Sequence, residues 1–265
     1  MEQKSPSPID IKPGATGALP KTSSINWTEI AVFFVIAVGV SAPFRLDWIT
    51  PAKWLPFPYG LDIFYAVLRG IGPACGYLVV TRFLKSTVIR DISFWGVNGM
   101  ISFLAMLILP VMMAIVGTTE AAAQNKHYLG CLYGVMLVLY ALGEEYGWRG
   151  YLQPALAPMR LFPKVMLIAV LWYLWHLNFL RPGISPKMHL IHFLSLVAGS
   201  WGLLKIADTT KSILFTAAVH LSFNVLADGT GRINSPLLII GVAGALWFAL
   251  IRFGIIGRAV AVKER

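Results

Sequence analysis

Apolar residues along this 265-residue chain gather into eight runs, separated by short stretches rich in Lys, Arg, Pro and Gly. A membrane-spanning α-helix needs about 20 mostly apolar residues, with a range of about 17 to 25. By that measure the runs at 27–44, 59–84, 99–117, 128–152, 164–180, 189–206, 211–227 and 233–254 each predict a helix of spanning length. The pattern predicts an all-α fold, a polytopic membrane helix bundle of about eight transmembrane helices. The run 59–84 is long and carries Asp62, Arg69 and several glycines, which predicts a tilted or irregular helix. Residues 1–26, rich in Pro, Ser, Gly and Lys, have no apolar core and are expected to form a disordered cytoplasmic tail. The organisation expected is that tail, one membrane domain over 27–256, and a short basic C-terminal tail over 257–265. No internal repeat or second domain stands out.

Composition supports the membrane reading. The chain is 57% hydrophobic and only 13% charged, and its mean hydropathy is +0.70. A soluble domain carries about 25% charged residues. The net charge of +10 is spread singly between apolar runs, with no basic stripe interleaved with aromatics. Nucleic acid is therefore excluded as a partner, and membrane lipid is expected instead. Lys and Arg concentrate on the cytoplasmic side of membrane proteins. Alternating the eight spans puts fifteen Lys and Arg on the side of the N-terminus and six on the other, with Arg69 left inside. Both termini are thus expected in the cytoplasm, as an even span count requires. Cys75 and Cys131 lie in apolar runs and form no Cys-x-x-Cys pair, so metal, redox or nucleophilic work is not expected of them.

Against this oily background one segment stands out: Leu-Gly-Glu144-Glu145-Tyr-Gly-Trp-Arg149-Gly, in a protein with only 12 acidic residues. A charge at the centre of a spanning helix costs about 2.5 to 3.5 kcal/mol on insertion scales. Packing alone does not explain two adjacent carboxylates there. Glu145 and Arg149 are four residues apart, share a helix face and stand in the favourable acid-before-base order. Glu144 points about 100° away, with no cation at its own i+3 or i+4 position. One carboxylate is neutralised locally and the other is left for chemistry. Two further spans carry rare polar groups: His176 after Trp172-Tyr-Leu-Trp, and His220 with Asn224 one turn later. At 1.5 Å per residue, Glu144 and His220 fall about 12 and 13 Å from the cytoplasmic ends of their spans, and His176 about 18 Å. Buried ionisable groups at similar depth normally face a bundle interior or a hydrated cavity.

Glu-Glu-x-x-x-Arg, aromatic-x-x-x-His and His-x-x-x-Asn, each on its own span, resemble the CAAX protease and bacteriocin-processing (CPBP, or Abi) family of intramembrane endopeptidases. The stretch Glu-Glu-Tyr-Gly-Trp-Arg-Gly-Tyr-Leu-Gln-Pro extends the likeness, which covers roughly residues 128–227. The resemblance implies peptide-bond hydrolysis near the C-terminus of CAAX-type or other membrane-associated substrates, including prenylated ones, in a cavity open to the cytoplasm. Glu144 would activate water, since burial disfavours the charged form of a carboxylate and favours its acting as a proton acceptor. Glu145 and Arg149 would brace it, while His176, His220 and Asn224 orient the water and stabilise the oxyanion. One departure is Trp172, where the family more often has phenylalanine; this is expected to change the width of the substrate pocket.

Two histidines and a carboxylate can also hold a catalytic zinc ion, so His176, His220 and Glu145 form a possible ligand set; a divalent metal, zinc, is favoured, with a metal-free glutamate mechanism as the alternative. Arg69 is a second candidate for substrate contact, as a receptor for a substrate carboxylate. His127, His189 and His192 are given no role. Compact length favours a bacterial plasma membrane over the endoplasmic reticulum. Two rival functions share the same residues: a transporter or channel, and a non-catalytic bacteriocin-immunity protein on the same fold.

Overall fold

The computed structural model describes residues 24–49, 61–119, 125–228 and 233–256. Among them no strand forms, and only two isolated backbone bridges occur, Ser93 with Ser212 and Thr118 with Ile233. The helices are α1 (Trp27–Arg45), α2 (Leu61–Gly70), α3 (Gly72–Leu78), α4 (Gly99–Val116), α5 (Lys126–Gly147), α6 (Gln153–Ala155), α7 (Leu161–His176), α8 (Pro186–Thr210), α9 (Ile213–Asp228) and α10 (Pro236–Arg252). Four helical stretches are long and apolar enough to cross a membrane: Trp27–Arg45, Gly99–Val116, Lys126–Ala155 and Pro186–Thr210. Three shorter apolar helices accompany them, Leu161–His176, Ile213–Leu226 and Pro236–Arg252. The expected terminal tails, 1–26 and 257–265, lie outside the described residues except for 24–26.

Side-chain caps set several starts. Asn26, Asn98, Asn125 and Ser185 each accept a backbone N–H from the first turn of α1, α4, α5 and α8, an interaction worth about 1 kcal/mol per helix. The run expected as one helix over 59–84 is three pieces: α2, α3 and a π-helical turn at Val79–Phe83. Pro73 explains the interruption. It lacks an N–H to donate to the preceding turn and fits only the first turn of a new helix. Close approach then fixes α3 on α1: a Cβ at Gly72 would collide with the Ala37 carbonyl and Ser41 Oγ, and Ser41 Oγ accepts the Gly72 N–H at 3.2 Å.

The α5 helix is central, packed on α2, α3, α4 and α9, while α7 lies against α8 and α1. One apolar cluster joins α4, α5, α9 and α10. A second, around Phe33, Trp148, Tyr151, Leu152 and Ile168, fills the space between α1, the end of α5 and α7. At the start of α1, Glu29 accepts from Ser86 at 2.5 Å and Tyr151 at 3.5 Å. The two ends of α1 are separated by 19 residues, or about 28 Å at 1.5 Å per residue. They mark two faces of the bundle, one holding Trp27, Ser86 and Tyr151 and the other holding Arg45.

The helix expected at 164–180 is α7, and it stops at His176, where Leu177 turns left-handed at φ 58°. Its 16 residues span about 24 Å, short of a hydrocarbon core of about 30 Å. A single 3-10 turn, Asn178–Leu180, follows. Irregular backbone at membrane depth is tolerated where it is buried in protein or lines a cavity, and here it lines one.

Candidate active site

The two glutamates are fully buried near the end of α5 and diverge as adjacent helical positions must. Glu145 Oε1 accepts from Arg149 Nη1 at 3.0 Å and from His220 Nδ1 at 2.7 Å. The expected i,i+4 pair thus forms, with both side chains wholly inaccessible. Arg149 belongs to a π-helical turn, Trp148–Leu152, that widens the helix directly after the glutamates. Its guanidinium lies 4.9 Å from the Trp172 ring centre.

Glu144 is held by two indoles. Its Oε2 accepts from Trp172 Nε1 at 2.6 Å and from Trp148 Nε1 at 3.3 Å. Oε1 is buried and makes no hydrogen bond. The expectation that Glu144 has no cation nearby holds only along its own helix. Arg45, from the last turn of α1, brings Nη2 to 3.9 Å from Oε1. Alternation of the spans makes Arg45 one of the six cations expected in loops on the far side of the membrane. Instead it is 8% exposed, stacks 3.5 Å over the Trp175 ring and donates to Tyr140 Oη at 3.1 Å and the Arg69 carbonyl at 3.2 Å. A cation directly following an apolar run reads as an interfacial anchor, and no sequence signal set this one apart.

The same guanidinium forms part of a cavity of about 350 Å³. His176, Asn224, Tyr140, His192 and Arg69 line it as well. His176 Nδ1 lies 2.7 Å from the Trp172 carbonyl. A carbonyl only accepts, so Nδ1 carries the proton and Nε2 carries the lone pair. Asn224 shares a helix face with His220, and its Nδ2 is buried without a protein partner. Five of the buried polar atoms lacking protein partners belong to this region: Glu144 Oε1, Glu145 Oε2, Arg149 Nε and Nη2, and Asn224 Nδ2. Such atoms normally find water or a ligand.

The predicted residues therefore divide into two joined sets. Glu144, Glu145, Arg149, His220 and Trp172 form a buried network, and His176 and Asn224 face the adjoining cavity. Arg45 touches both. Trp172, expected to set pocket width, is only 3% exposed and does not line this cavity; its N–H is spent on Glu144, a donor that phenylalanine would lack. Arg69 does line the cavity, but its Nη2 is paired with Asp47 Oδ1 at 2.5 Å and its Nε donates to the Phe44 carbonyl. The Asp62 side chain lies outside the described residues. His192, given no role from sequence, lines the cavity with its ring 4.7 Å from that of His176. Its spacing from other polar residues carries no motif, so only packing reveals it.

Asp47 ties this end of the bundle together. It accepts from Arg69, Tyr65 and Arg181, linking the turns after α1 and α7 to α2. Partial burial pushes its carboxyl upward, but hydrogen bonds from Arg69 and Tyr65 and the charges of Arg69 and Arg181 outweigh that and hold it below its ordinary value of 3.8.

The ligand set His176, His220 and Glu145 is not assembled as a metal centre. Among the described residues, no three His, Cys, Asp or Glu side chains are gathered so as to hold a metal ion. Glu145 Oε1 is shared by an imidazole N–H and a guanidinium, so a positive group already stands where a metal would bind. The residues present do not fit the ion.

The cavity wall is drawn from the ends of α1 and α7, with Arg45, His176 and Asn178, and from Tyr140 of α5 and Asn224 of α9.

Carboxylates and imidazoles thus converge inside a bundle of helices, four of them long and apolar enough to cross a membrane. Residues 127–226 match a family model described as Type II CAAX prenyl endopeptidase Rce1-like. The match takes in every motif residue from Glu144 to Asn224, and over that stretch the chain is similar to this family. No curated protein sequence matches the chain.

Proposed function

We propose that the protein is an intramembrane endopeptidase in which Glu144 is the general base. The carrying observation is the asymmetry of that carboxylate. Two indole N–H groups fix Oε2, while Oε1 is buried, makes no hydrogen bond and faces the Arg45 guanidinium of the cavity wall.

In this reading a water beside Oε1 gives a proton to Glu144 as its oxygen attacks the scissile carbonyl carbon. The C–N bond then breaks, and the leaving nitrogen takes the proton back from Glu144. His176 Nε2, with its lone pair turned away from the helix, accepts a hydrogen bond from the water's other O–H, whose proton stays on the attacking oxygen, and so aligns the attack. Asn224 Nδ2 donates to the developing oxyanion, a preorganised donor of the kind that stabilises charge well in a water-poor site. Glu145, with Arg149 on its own turn and His220 across from α9, fixes the end of α5 and so the direction of Glu144. The substrate class is a protein or peptide segment that reaches membrane depth, a CAAX-type tail among them.

The test compares protein termini in cells expressing wild type or Glu144→Gln. Termini present only with wild type, from a variant that inserts and purifies equally well, are expected. A variant that still produces them in full would remove Glu144 from the mechanism.

A further inference from the structure

We propose that His192 is a substrate-binding residue of this site, which donates its Nε2–H to a backbone carbonyl of the peptide next to the bond that is cut. The inference rests on the proteolytic reading above and adds to it a contact that no motif marks.

The tautomer of the ring comes first. Asn178 Nδ2 lies 3.3 Å from His192 Nδ1. An amide NH₂ group only donates, so Nδ1 holds a lone pair and the proton of the neutral ring sits on Nε2. This is the reverse of His176, whose Nδ1–H is spent on the Trp172 carbonyl. Two imidazoles from different helices thus meet with opposite ends toward the site: His176 of α7 presents an acceptor and His192 of α8 a donor. Their rings stand edge to face, with 4.7 Å between centres and 85° between planes, and both line the cavity of about 350 Å³. His192 is only half-buried, and among the described residues its Nε2–H meets no protein acceptor. That proton is left to whatever fills the cavity. Asn178 is a positioning residue in this arrangement, since it acts by keeping His192 Nδ1 an acceptor. It follows Leu177, whose left-handed backbone ends α7 and brings the amide across to α8.

The wall says what the ligand group is. Arg45 and Asn224 also bring N–H groups to the cavity, and among the described residues no carboxylate lines it. A wall rich in donors suits a ligand rich in acceptors, and an extended peptide offers a carbonyl at every residue. The carbonyl under attack is held by Asn224 in the step above. Successive Cα atoms of a peptide are about 3.8 Å apart, close to the 4.7 Å between the two imidazole centres. A chain whose scissile carbonyl meets the water held by His176 therefore brings the carbonyl of a neighbouring residue to His192. Tyr173 packs on the same ring, with 5.7 Å between centres; phenylalanine at 192 would keep that packing and lose the hydrogen bond.

The test is steady-state cleavage, by the full chain in detergent, of a peptide spanning a bond found by comparing termini. His192→Phe is expected to raise KM about 3- to 10-fold with kcat nearly unchanged, because a hydrogen bond made equally in the bound and transition states acts on KM alone. His192→Gln, which restores an N–H, should recover most of the loss, and Asn178→Ala should raise KM only while His192 is present. Two further peptides carry a thiocarbonyl, a weaker acceptor, in place of the carbonyl on one or the other side of the scissile bond. One of them should raise the KM of wild type and leave that of His192→Phe where it was, the coupling expected of two groups in contact. Wild-type KM in His192→Phe, a loss confined to kcat, or a thiocarbonyl effect that persists in full in that variant would overturn the proposal. His192→Leu takes the place of His192→Phe if thermal unfolding shows that the latter does not fold. If Glu144→Gln abolishes cleavage while His192→Phe keeps wild-type KM, the His192 contact falls and the proteolytic reading stands. If Glu144→Gln cleaves in full, that reading falls and the contact with it.

Discussion

Trp172→Phe isolates the hydrogen bond that distinguishes this site from a phenylalanine-bearing relative. The substitution keeps an aromatic ring on α7 against His220, whose ring centre lies 5.2 Å from that of Trp172, and removes the N–H that reaches Glu144 Oε2 at 2.6 Å. A hydrogen bond to a charged group contributes about 1.5 to 3 kcal/mol. Each 1.4 kcal/mol is about tenfold in rate. With only the longer Trp148 contact of 3.3 Å remaining, the carboxylate loses its orientation, and kcat is expected to fall about 10- to 100-fold. KM should change little, because the Trp172 side chain is outside the cavity wall. The assay is steady-state cleavage, in detergent or proteoliposomes, of a peptide spanning a bond found by comparing termini. Trp148→Phe provides the internal scale, with a smaller loss expected from its longer contact. A Trp172→Phe enzyme with wild-type kcat, or one whose defect lies wholly in KM, would refute the argument that the indole positions the base.

Other consequences follow from the same contacts. Arg149→Ala leaves Glu145 charged in a fully buried position, and breaking a buried pair from one side costs about 3 to 5 kcal/mol; thermal unfolding in detergent should show a large loss of stability, and an unchanged midpoint would contradict the pairing. Asp47, with its carboxyl held below the ordinary range, contributes its tie fully above the unfolded value and loses it only as pH falls through the lower folded value. The melting midpoint of wild type should therefore keep this contribution from pH 7 down to about 5, whereas Asp47→Asn should lie lower throughout that window; coincident curves would remove the tie. Exhaustive treatment with a chelator should leave cleavage intact, since the ligand set is not gathered; loss of activity that zinc restores would reverse that reading.

The sequence by itself determined the helical, membrane-embedded class, because apolar runs of spanning length leave the backbone no other way to satisfy its hydrogen bonds. It also determined the Glu145–Arg149 pair, since four residues on a helix return to the same face. The three motifs marked their own residues, because charge and imidazole are costly enough in apolar spans to stand out. Other features came only from the tertiary structure. Arg45 becomes part of the site because α1 ends beside Tyr140, a contact across 95 positions that no local pattern encodes. The second indole on Glu144 comes from α7, which packs there because Trp148, Trp172 and Trp175 fill one another's space. The early stop of α7 at Leu177, and with it the part Asn178 plays in the cavity wall, depends on how a short helix is seated among longer ones. Periodicity tells which side of a helix is polar; only packing decides what that side meets.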